Sequence, residues 1–381
     1  MKKSNIPQES KYDVAVIGAG PAGASAAISS ARSGAKTILI ERSPRLWYTS
    51  TSAVLVETPR PFEGYLLEKI ATIELRAPHI THQIDAGGAV IDYPRWLIDR
   101  VNAAGQLGVD VLVGAAANLK VERGRVTGVV VQSGPWAREF STACVVDTTG
   151  VQYSAEGRIS GAVLHGGAGV ENVLYEFGNV SGASTILLFS EFHAPGGLAW
   201  CHPSAKWRAI TGLRHIKGTE IALQNLVKGH ERLSKIFEKA TLNAYAVTFS
   251  PGALLARTFT DGLIVAGSAA GHAYPLRITN LELAIQSGEI AGRAAARYGG
   301  TRRYEDIWRA KFGRGLAAAY DLHSRLSQEL YDAKMDELVR MAKGGDKSAS
   351  MLLKCLTFSG DMVAAARISK RFPDLFKPLG R

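Results

Sequence analysis

The most constraining feature of the sequence is a glycine-rich loop near its start. An apolar run at residues 12–17 leads into the loop, a helix of small residues is predicted over 22–33, and residues 37–41 resume as an apolar strand. The loop consists of Gly18, Ala19, Gly20, Pro21, Ala22 and Gly23. Glycines at this spacing between a strand and a helix are typical of the βαβ unit that binds the diphosphate of a dinucleotide.

Each glycine of this loop has a physical task. Gly18 allows the tight turn, Gly20 lets backbone N–H groups approach a diphosphate at the helix N-terminus, and Gly23 lets helix and strand pack closely. Glu41 ends the second strand, and its carboxylate is expected to accept hydrogen bonds from ribose hydroxyls. A turn that binds no ligand would explain the glycines. It would not explain why they lie between a predicted strand and a predicted helix, with the acidic Glu41 at the end of the next strand.

Length and composition narrow the class of protein. A chain of 381 residues is long for one hydrophobic core, so we expect two closely packed lobes. Hydrophobic residues make up 46% and charged residues 21%, which excludes a disordered protein, and three cysteines exclude a disulfide scaffold. No apolar stretch of membrane-spanning length and no secretory signal is found, so a cytoplasmic location is expected.

The chain carries an excess of basic residues. Its formal net charge is +11, and residues 301–381 contribute 16 Lys and Arg against 10 Asp and Glu, or +6. Such a charge favours an acidic partner, for example a nucleotide cofactor or an anionic membrane surface. Aromatic residues are not interleaved with basic ones as in single-strand-binding grooves, so no nucleic-acid partner is expected.

The remaining pattern predicts a mixed α/β architecture. Further strands are predicted at 111–113, 121–131, 144–147 and 262–267, and further helices at 93–107 and 281–297. Residues 47–88 show a broken pattern rich in turns, and residues 156–250 carry short β-like stretches that we interpret as an antiparallel sheet.

The C-terminal region is predicted to be helical from residue 304 onward. Four large apolar side chains recur there every four residues: Trp308, Phe312, Leu316 and Tyr320. We expect them to pack inward while basic side chains face outward, and we expect the helix to break at Gly344 and Gly345.

Several stretches together resemble one known family. They are the glycine loop with Glu41 and Arg42, residues 93–100, 145–150, 197–203 and 262–271, in matching order and spacing. Over residues 10–300 the chain resembles the geranylgeranyl reductase branch of the flavoproteins that share the p-hydroxybenzoate hydroxylase fold. The resemblance implies FAD as cofactor and reduction of carbon–carbon double bonds in an isoprenoid or other apolar, lipid-like substrate.

The resemblance also implies where FAD binds. Besides the glycine loop, the implied cofactor-binding residues are Glu41, Arg42, Arg95, Thr149, Gly150, Gly267, Ser268, Ile278, Thr279 and Asn280. The turn after Gly267 leads toward a helix, so its free backbone N–H groups suit an anion or the ribityl chain. Two departures stand out. Ser268 replaces an Asp of the family, and residues 278–280 replace a glycine triplet that lies against the flavin ring.

A further departure concerns the substrate cavity. The implied cavity element consists of Trp200, Cys201, His202 and Pro203. His202 replaces a Phe of the family and places a titratable group in an apolar setting, and His272 lies beside the turn after Gly267. Both histidines are therefore candidate catalytic residues, with a packed structural histidine as the alternative for each. The family's Cys after the second strand is missing from residues 47–53.

Features that the sequence lacks bear on the source of electrons and on the rival functions. No second glycine motif follows a strand, so electrons must come from an external donor. The resemblance implies a ferredoxin, another donor or a transiently bound nicotinamide, NAD(P)H. A flavin monooxygenase or halogenase on the same fold is the alternative enzyme, although a halogenase would need a Lys between the glycine loop and Trp200, where only Lys36, Lys69 and Lys120 occur. The other alternative is a binding protein that has lost flavin chemistry. No metal site is expected.

We expect an α/β fold made of a Rossmann-like FAD-binding domain, an inserted antiparallel-sheet substrate domain and a C-terminal helical region. The FAD-binding domain is assigned to residues 10–46, 93–155 and 255–300. The substrate domain is assigned to 47–92 and 156–254, and the helical region to 301–381.

Overall fold

The computed structural model describes residues 11–46, 53–151, 163–165, 170–178, 185–188, 198–205, 208–215, 235, 238–250, 253–275, 277–297, 300–326 and 331–376. Its strands are β1 (Lys11–Ile17), β2 (Thr37–Glu41), β3 (Ala53–Val56), β4 (Leu66–Ala77), β5 (Ile80–Asp92), β6 (Asp110–Val113), β7 (Ala116–Glu122), β8 (Arg125–Ser133), β9 (Trp136–Asp147), β10 (Val163–His165), β11 (Val170–Gly178), β12 (Thr185–Leu188), β13 (Leu198–Ala205), β14 (Arg208–His215), β15 (Thr241–Ser250), β16 (Leu254–Leu255), β17 (Phe259–Thr260) and β18 (Leu263–Val265). Its helices are α1 (Pro21–Arg32), α2 (Tyr93–Gln106), α3 (Leu281–Ala296), α4 (Thr301–Trp308), α5 (Arg314–Leu326), α6 (Tyr331–Lys343), α7 (Lys347–Thr357) and α8 (Met362–Ser369).

The first sheet is built around β1. Its order is β17-β18-β9-β1-β2-β6, with β7 and β8 attached to β9 as an antiparallel extension. β1 pairs in parallel with β2 on one side and β9 on the other, and β18 adds to β9 in parallel. Because the strands are parallel, Ile17, Glu41, Asp147 and Val265 end at the same edge of the sheet. Ligands of open α/β sheets bind outside this carboxyl edge, where neighbouring strands diverge.

Helices α1 and α3 pack against each other through glycine. A Cβ on Gly288 would lie 2.0 Å from the carbonyl oxygen of Ala22, and one on Gly292 would lie 2.1 Å from that of Ala26. The two helices therefore touch backbone to backbone. Since the contacts advance in the same direction along both helices, α1 and α3 run parallel and both begin at the carboxyl edge of the sheet.

The second sheet has the order β15-β11-β14-β13-β12-β4-β5-β3. Apart from the parallel pair β12 and β4, its neighbours are antiparallel, as expected for residues 156–250. The interpretation of residues 47–88 as broken and turn-rich was wrong, because they contain most of a long hairpin formed by β4 and β5. Two register shifts in this hairpin, near Leu66 and Ile70, interrupt the alternation that would have revealed it.

The C-terminal helices cover one face of this second sheet. Side chains of α6 and α7, among them Leu338 and Leu352, share a hydrophobic core with Ile73 and Leu75 of β4. The predicted break is confirmed, because α6 ends at Lys343, next to the two glycines. Among the described residues, no helix is both long and apolar enough to cross a membrane.

The predicted apolar face of the C-terminal region is also confirmed. All four of its large side chains are buried, and Trp308 donates a hydrogen bond from Nε1 to the hydroxyl of Thr258 at 2.8 Å. Residues four apart drift around an α-helix by about 40° per step. A π-helical turn at Arg309–Gly313 widens the helix locally and keeps Trp308 and Phe312 on one side.

These two sheets and the helical region confirm the fold class expected from the sequence. The parallel sheet carries the glycine loop at its carboxyl edge. The second sheet and the C-terminal helices enclose an apolar core of their own.

Candidate functional site

The glycine loop has the geometry that its sequence predicts. Gly18 has φ +95°, a conformation that favours glycine, and its N–H donates to the carbonyl of Ile40 at 2.7 Å. A Cβ on Gly23 would lie 1.7 Å from the carbonyl oxygen of Gly18, so only glycine fits there. A Cβ on Gly20 would meet nothing within 4 Å. The loop is closed on the protein side and open beyond Gly20, at the N-terminus of α1.

Glu41 holds the loop as well as bordering it. One carboxylate oxygen accepts the N–H of Ala19 at 2.8 Å, and the other accepts the N–H of Ser43 at 2.7 Å. An ionised carboxylate has about four lone-pair sites, so two remain for ribose hydroxyls. The carboxylate is thus oriented by the backbone on both sides. Arg42, the next residue, has an exposed side chain.

The end of β9 closes the loop from the other side. The hydroxyl of Thr148 donates to the carbonyls of Ile17 and Gly18, at 2.8 and 2.9 Å. The hydroxyl of Thr149 donates to Asp147 at 2.7 Å, and Gly150 follows with φ +77°. The sequence interpretation had named Thr149 and Gly150 but missed Thr148, although the repeated threonine before a glycine was visible.

The turn at Gly267 is held from inside the protein. Its N–H donates to the hydroxyl of Ser287 on α3 at 2.9 Å, so this group is not among the free N–H groups expected in the turn. Ser287 also contacts Nδ1 of His272 at 2.8 Å and the hydroxyl of Tyr304 at 3.1 Å. Ser268, next to the turn, is half-buried. Ser287 and Tyr304 were missed because nothing near them in the sequence marks them.

His272 lies in an aromatic cage. Its ring centroid is 4.5 Å from that of Trp308 and 5.3 Å from that of Phe312. Burial, together with the positive charge of Arg309, lowers the pKa of His272 to about 3. The imidazole is therefore neutral, and its bond to Ser287 ties the turn at Gly267 to α3.

The loop that leads into α3 turns its side chains into the protein. The side-chain oxygen of Asn280 accepts the N–H of Tyr274 at 2.7 Å. The N–H of Ile278 donates to the carbonyl of Thr357 at 3.1 Å, and its side chain packs against the core beneath the C-terminal helices. Thr279 is buried. Residues 278–280 thus reach inward in this structure.

Arg277 anchors the same loop and had not been singled out in the sequence. This buried side chain donates from Nε to the carbonyl of Cys355 at 3.0 Å and from Nη2 to that of Gly360. Its Nη1 lies 3.1 Å from Glu57 at the end of β3, and its guanidinium stacks over the ring of Tyr274 at 4.1 Å. Burial raises the pKa of Glu57 to about 7, although Arg277 opposes the shift.

Arg95 lies at the start of α2 with its guanidinium exposed. It stacks over the ring of Tyr65 at 5.5 Å, and its N–H donates to the side chain of Asp92 at 3.1 Å. The N–H bond caps the helix. The contacts that the structure describes for Arg95 are thus with Tyr65 and Asp92.

The predicted cavity element forms the middle of β13. Trp200, Cys201 and His202 are buried there, and Pro203 pairs with Ala209 of β14. Trp200 belongs to the core against which Tyr274 and Ile278 pack. The side chain of Trp200 thus faces the core against which the loop that leads into α3 packs. Burial lowers the pKa of His202 to about 3, so this imidazole is also neutral.

Comparisons with known proteins address the cofactor and the class of enzyme. A family model described as FAD dependent oxidoreductase matches residues 13–152. Digeranylgeranylglycerophospholipid reductase 2 of Methanothermobacter thermautotrophicus is 29% identical over 94% of this chain and 98% of its own length. The Methanopyrus kandleri protein of the same name is 27% identical over 96% and 98%.

The chain is an FAD-dependent oxidoreductase that resembles the geranylgeranyl reductases. Among solved structures, a geranylgeranyl bacteriochlorophyll reductase-like protein from Thermoplasma acidophilum superposes on this flavoprotein with a TM-score of 0.80, at 19% identity, over 96% of this chain and 99% of the other. A flavin-dependent brominase gives 0.71 at 17% identity, over 96% and 99%. At such identities these likenesses describe the fold.

The halogenase alternative gains no support from the lysines of this flavoprotein. Lys36 and Lys69 are exposed. Lys120 pairs with Glu139 at 2.8 Å on the antiparallel extension of the first sheet.

The residues of the carboxyl edge fit FAD. The open side of Gly20, the N-terminus of α1 and the oriented carboxylate of Glu41 provide for a diphosphate and a ribose. Pro21, the first residue of α1, lacks an N–H, so the N–H groups of Ala22 and Gly23 are those left for a ligand. No Cβ intrudes at Gly150 either.

Proposed function

We propose that this protein reduces carbon–carbon double bonds of an isoprenoid lipid, with FAD held at the carboxyl edge of the first sheet. The observation that carries the proposal is the glycine loop, open at Gly20 and flanked by Glu41. The isoprenoid substrate is supported by relatives along nearly the whole chain whose names state digeranylgeranylglycerophospholipid reduction.

The residues divide the work between binding and positioning. The N–H groups at the start of α1 bind the diphosphate, and Glu41 binds the ribose. Thr149, Gly150 and Ser268 border the cofactor, while Asn280 and Arg277 fix the loop that leads into α3. FAD, when bound and reduced, supplies a hydride.

The substrate side is assigned to β13. Trp200 and His202 share one face of this strand, and the core around Trp200 supplies the apolar surroundings that an isoprenoid chain needs. A Trp200→Phe variant keeps an aromatic side chain without leaving a large cavity. We expect it to lower turnover while the FAD content stays unchanged.

Electrons come from an external donor, a ferredoxin or NAD(P)H. The test uses purified protein loaded with FAD and reduced chemically by dithionite, so that donor identity does not limit the result. Incubation with digeranylgeranylglycerophospholipid should add two hydrogens per reduced double bond, measured by mass spectrometry. The proposal is contradicted if the reduced flavin is oxidised in the presence of the lipid while the double bonds of the lipid remain. A protein that cannot be loaded with FAD also contradicts it.

We further propose that the protein touches an anionic membrane through a basic groove. The groove has a volume of about 950 Å³ and is lined by Arg297, Arg302, Arg303, Lys311, Asp306, Ile307, Gly300 and Ala310. Four basic side chains face one acidic one. Ile307 is 38% exposed and offers an apolar anchor among the charges. Basic residues around an exposed apolar side chain are typical of surfaces that bind anionic lipid.

We assign the groove to membrane anchoring and not to the binding of the reacting double bond, because it lies far from the cofactor edge. It begins at Arg297, just past the end of α3, whose 16 residues span about 24 Å from the loop at Asn280. Vesicles of anionic lipid should bind the protein, and binding should fall steeply with salt, since exposed charges are screened beyond about 8–10 Å.

The anchor has a matched control. Arg302→Glu with Arg303→Glu should abolish vesicle binding, whereas Lys343→Glu with Lys347→Glu, an equal change of charge at exposed positions, should weaken it far less. Turnover of detergent-dispersed substrate should survive both changes. Equal losses in the two variants, or equal binding to neutral vesicles, would refute a role for the groove.

A further inference from the structure

We propose that His202 is a specificity residue that hydrogen-bonds an oxygen of the substrate, a hydroxyl or ether oxygen close to the double bond that is reduced. The inference deepens the proposed function and rests on it for the isoprenoid part of the substrate. The inference adds one polar group to a substrate that is otherwise expected to be apolar.

The first observation is that His202 is buried and unpartnered. Its exposed fraction is 3%, and neither Nδ1 nor Nε2 has a hydrogen-bond partner among the residues that the structure describes. A neutral imidazole has one N–H donor and one lone pair, and leaving both unused in a buried place is unfavourable. A ligand hydroxyl can accept from the imidazole N–H or donate to its lone pair, and an ether oxygen can accept from the N–H.

The second observation is the direction of the side chain. Successive side chains of a strand point to opposite faces, so His202 shares a face of β13 with Trp200, while Cys201 points away. Trp200 lies in the core against which Tyr274 and Ile278 pack, and that loop leads from the carboxyl edge into α3. His202 therefore points to the face of the second sheet that the C-terminal helices cover, and the loop that leads into α3 packs against the same core.

The third observation is the contrast with His272. That histidine is equally buried, yet its Nδ1 contacts Ser287 and Tyr304. The fold thus supplies partners for a histidine that it uses as a support. On β13, neither ring nitrogen of His202 has such a partner among the described residues. A support role would call for a partner of the kind that His272 has.

The experiment compares two ligands on the FAD-loaded protein. One is geranylgeraniol, and the other is the same hydrocarbon chain without the hydroxyl. Binding is measured as the ligand-induced change in melting temperature and in flavin absorption, and reduction is measured separately with dithionite as donor. The wild type should bind the alcohol about 10–100-fold more tightly, because a site built for a hydrogen bond rejects a ligand that lacks it.

Two variants separate recognition from support. His202→Phe should bind both ligands within about 3-fold of each other, whereas His202→Gln, which keeps a donor and an acceptor, should retain most of the preference. Without ligand, His202→Phe should melt about 2–4 °C higher than the wild type, because an unsatisfied polar side chain has been removed. A supporting histidine predicts the reverse, a lower melting temperature with the preference unchanged.

The outcomes also separate this inference from the proposed function. Reduction of both ligands without preference for the alcohol overturns the role of His202 and leaves the proposed function standing. A preference that disappears in His202→Phe, in a protein that reduces neither ligand, overturns the proposed function and supports His202. Binding of neither ligand contradicts both.

Discussion

The two loops at the carboxyl edge of the first sheet are held in different ways. The loop from Gly18 to Gly23 is fixed by its own βαβ unit and by the neighbouring β9, through Gly18, Glu41 and Thr148. The loop from Tyr274 to Asn280 is fixed by side chains from distant parts of the chain, above all through Arg277. One loop is a local structure, and the other depends on the whole fold.

This difference has a consequence for binding. The glycine loop can be built once β1, β2 and β9 have paired and α1 has packed on them, so its affinity for a diphosphate depends on few residues. The second loop takes its shape from the C-terminal helices and from β3. We therefore expect damage to the C-terminal region to affect the second loop first, and damage to the glycine loop to affect FAD binding directly.

The largest effect is expected from removal of residues 301–381. Truncation after residue 300 would remove Leu316 from the core that it shares with Leu254 and Ile290, and it would take away Cys355 and Gly360, the anchors of Arg277. Burial of the four large side chains of the apolar face stabilises the protein by about 1.5–3 kcal/mol each. We expect an aggregated product, measured by size-exclusion chromatography. A truncated protein that remains monomeric and binds FAD would contradict the dependence of the second loop on the C-terminal helices.

A point variant in the same region provides the control for truncation. Trp308→Ala should cost about 3–5 kcal/mol, because this buried side chain leaves a cavity beside His272. Ile307→Ala, one residue earlier and exposed, should cost under about 0.5 kcal/mol. Chemical denaturation measures both. Similar losses would mean that the apolar face is not what stabilises this region.

The second prediction concerns Arg277 alone. Arg277→Met should destabilise the protein by about 3–5 kcal/mol, because the half-buried Glu57 loses its cation and the carbonyls of Cys355 and Gly360 lose their donor. Adding Glu57→Gln should recover part of this loss. The control is Arg325→Met in an exposed pair with Asp321, which should cost at most about 1 kcal/mol. If the stability changes of Arg277→Met and Glu57→Gln simply add in the double variant, Arg277 and Glu57 are not coupled.

The third prediction tests the glycine loop with three glycines. Gly23→Ala should destabilise the fold by about 1–3 kcal/mol or more, because its Cβ meets the carbonyl of Gly18. Gly20→Val should fold normally and lose FAD, because its side chain points into the open side of the loop. Gly105→Ala, also open but on α2, should leave the FAD content unchanged and should not destabilise the fold, because Ala favours a helix more than Gly does. Normal FAD content in Gly20→Val would place the cofactor elsewhere.

The fourth prediction concerns Glu41. Glu41→Ala removes a charge-assisted contact to FAD and should weaken FAD binding by about 1.5–3 kcal/mol. It also removes the acceptor for the N–H groups of Ala19 and Ser43, so part of the loss arises from the loop itself. Titration of apoprotein with FAD measures the loss. Unchanged affinity would show that the oriented carboxylate does not face the ribose.

The smallest effect is a dependence of stability on pH. The pKa of Glu57 is raised from 4.5 to about 7, so between these values the folded protein keeps a proton that the unfolded chain has lost. Stability should therefore fall as pH rises through this window, by at most about 1.4 kcal/mol per pH unit. Glu57→Gln should flatten the slope, which thermal unfolding at several pH values measures. A rising slope would contradict the shift.

Local features of the fold could be predicted from sequence, and remote ones could not. The glycine loop, α2 and the apolar face of the C-terminal region follow from spacing within about 15 residues. Arg277 could not be assigned, because its partners Cys355 and Glu57 lie 78 and 220 positions away. The hairpin of β4 and β5 was missed because bulges shift its alternation.

The anchoring of Arg277 also sets the order of events during synthesis. Chains are made from the N-terminus, and domains tend to fold as they emerge. All strands of the first sheet are complete by Val265, but Cys355 and Gly360 follow about ninety residues later. Contacts of such long range form slowly. The glycine loop can therefore form early in synthesis, and the opposite wall of the site is set only after about ninety more residues have been added.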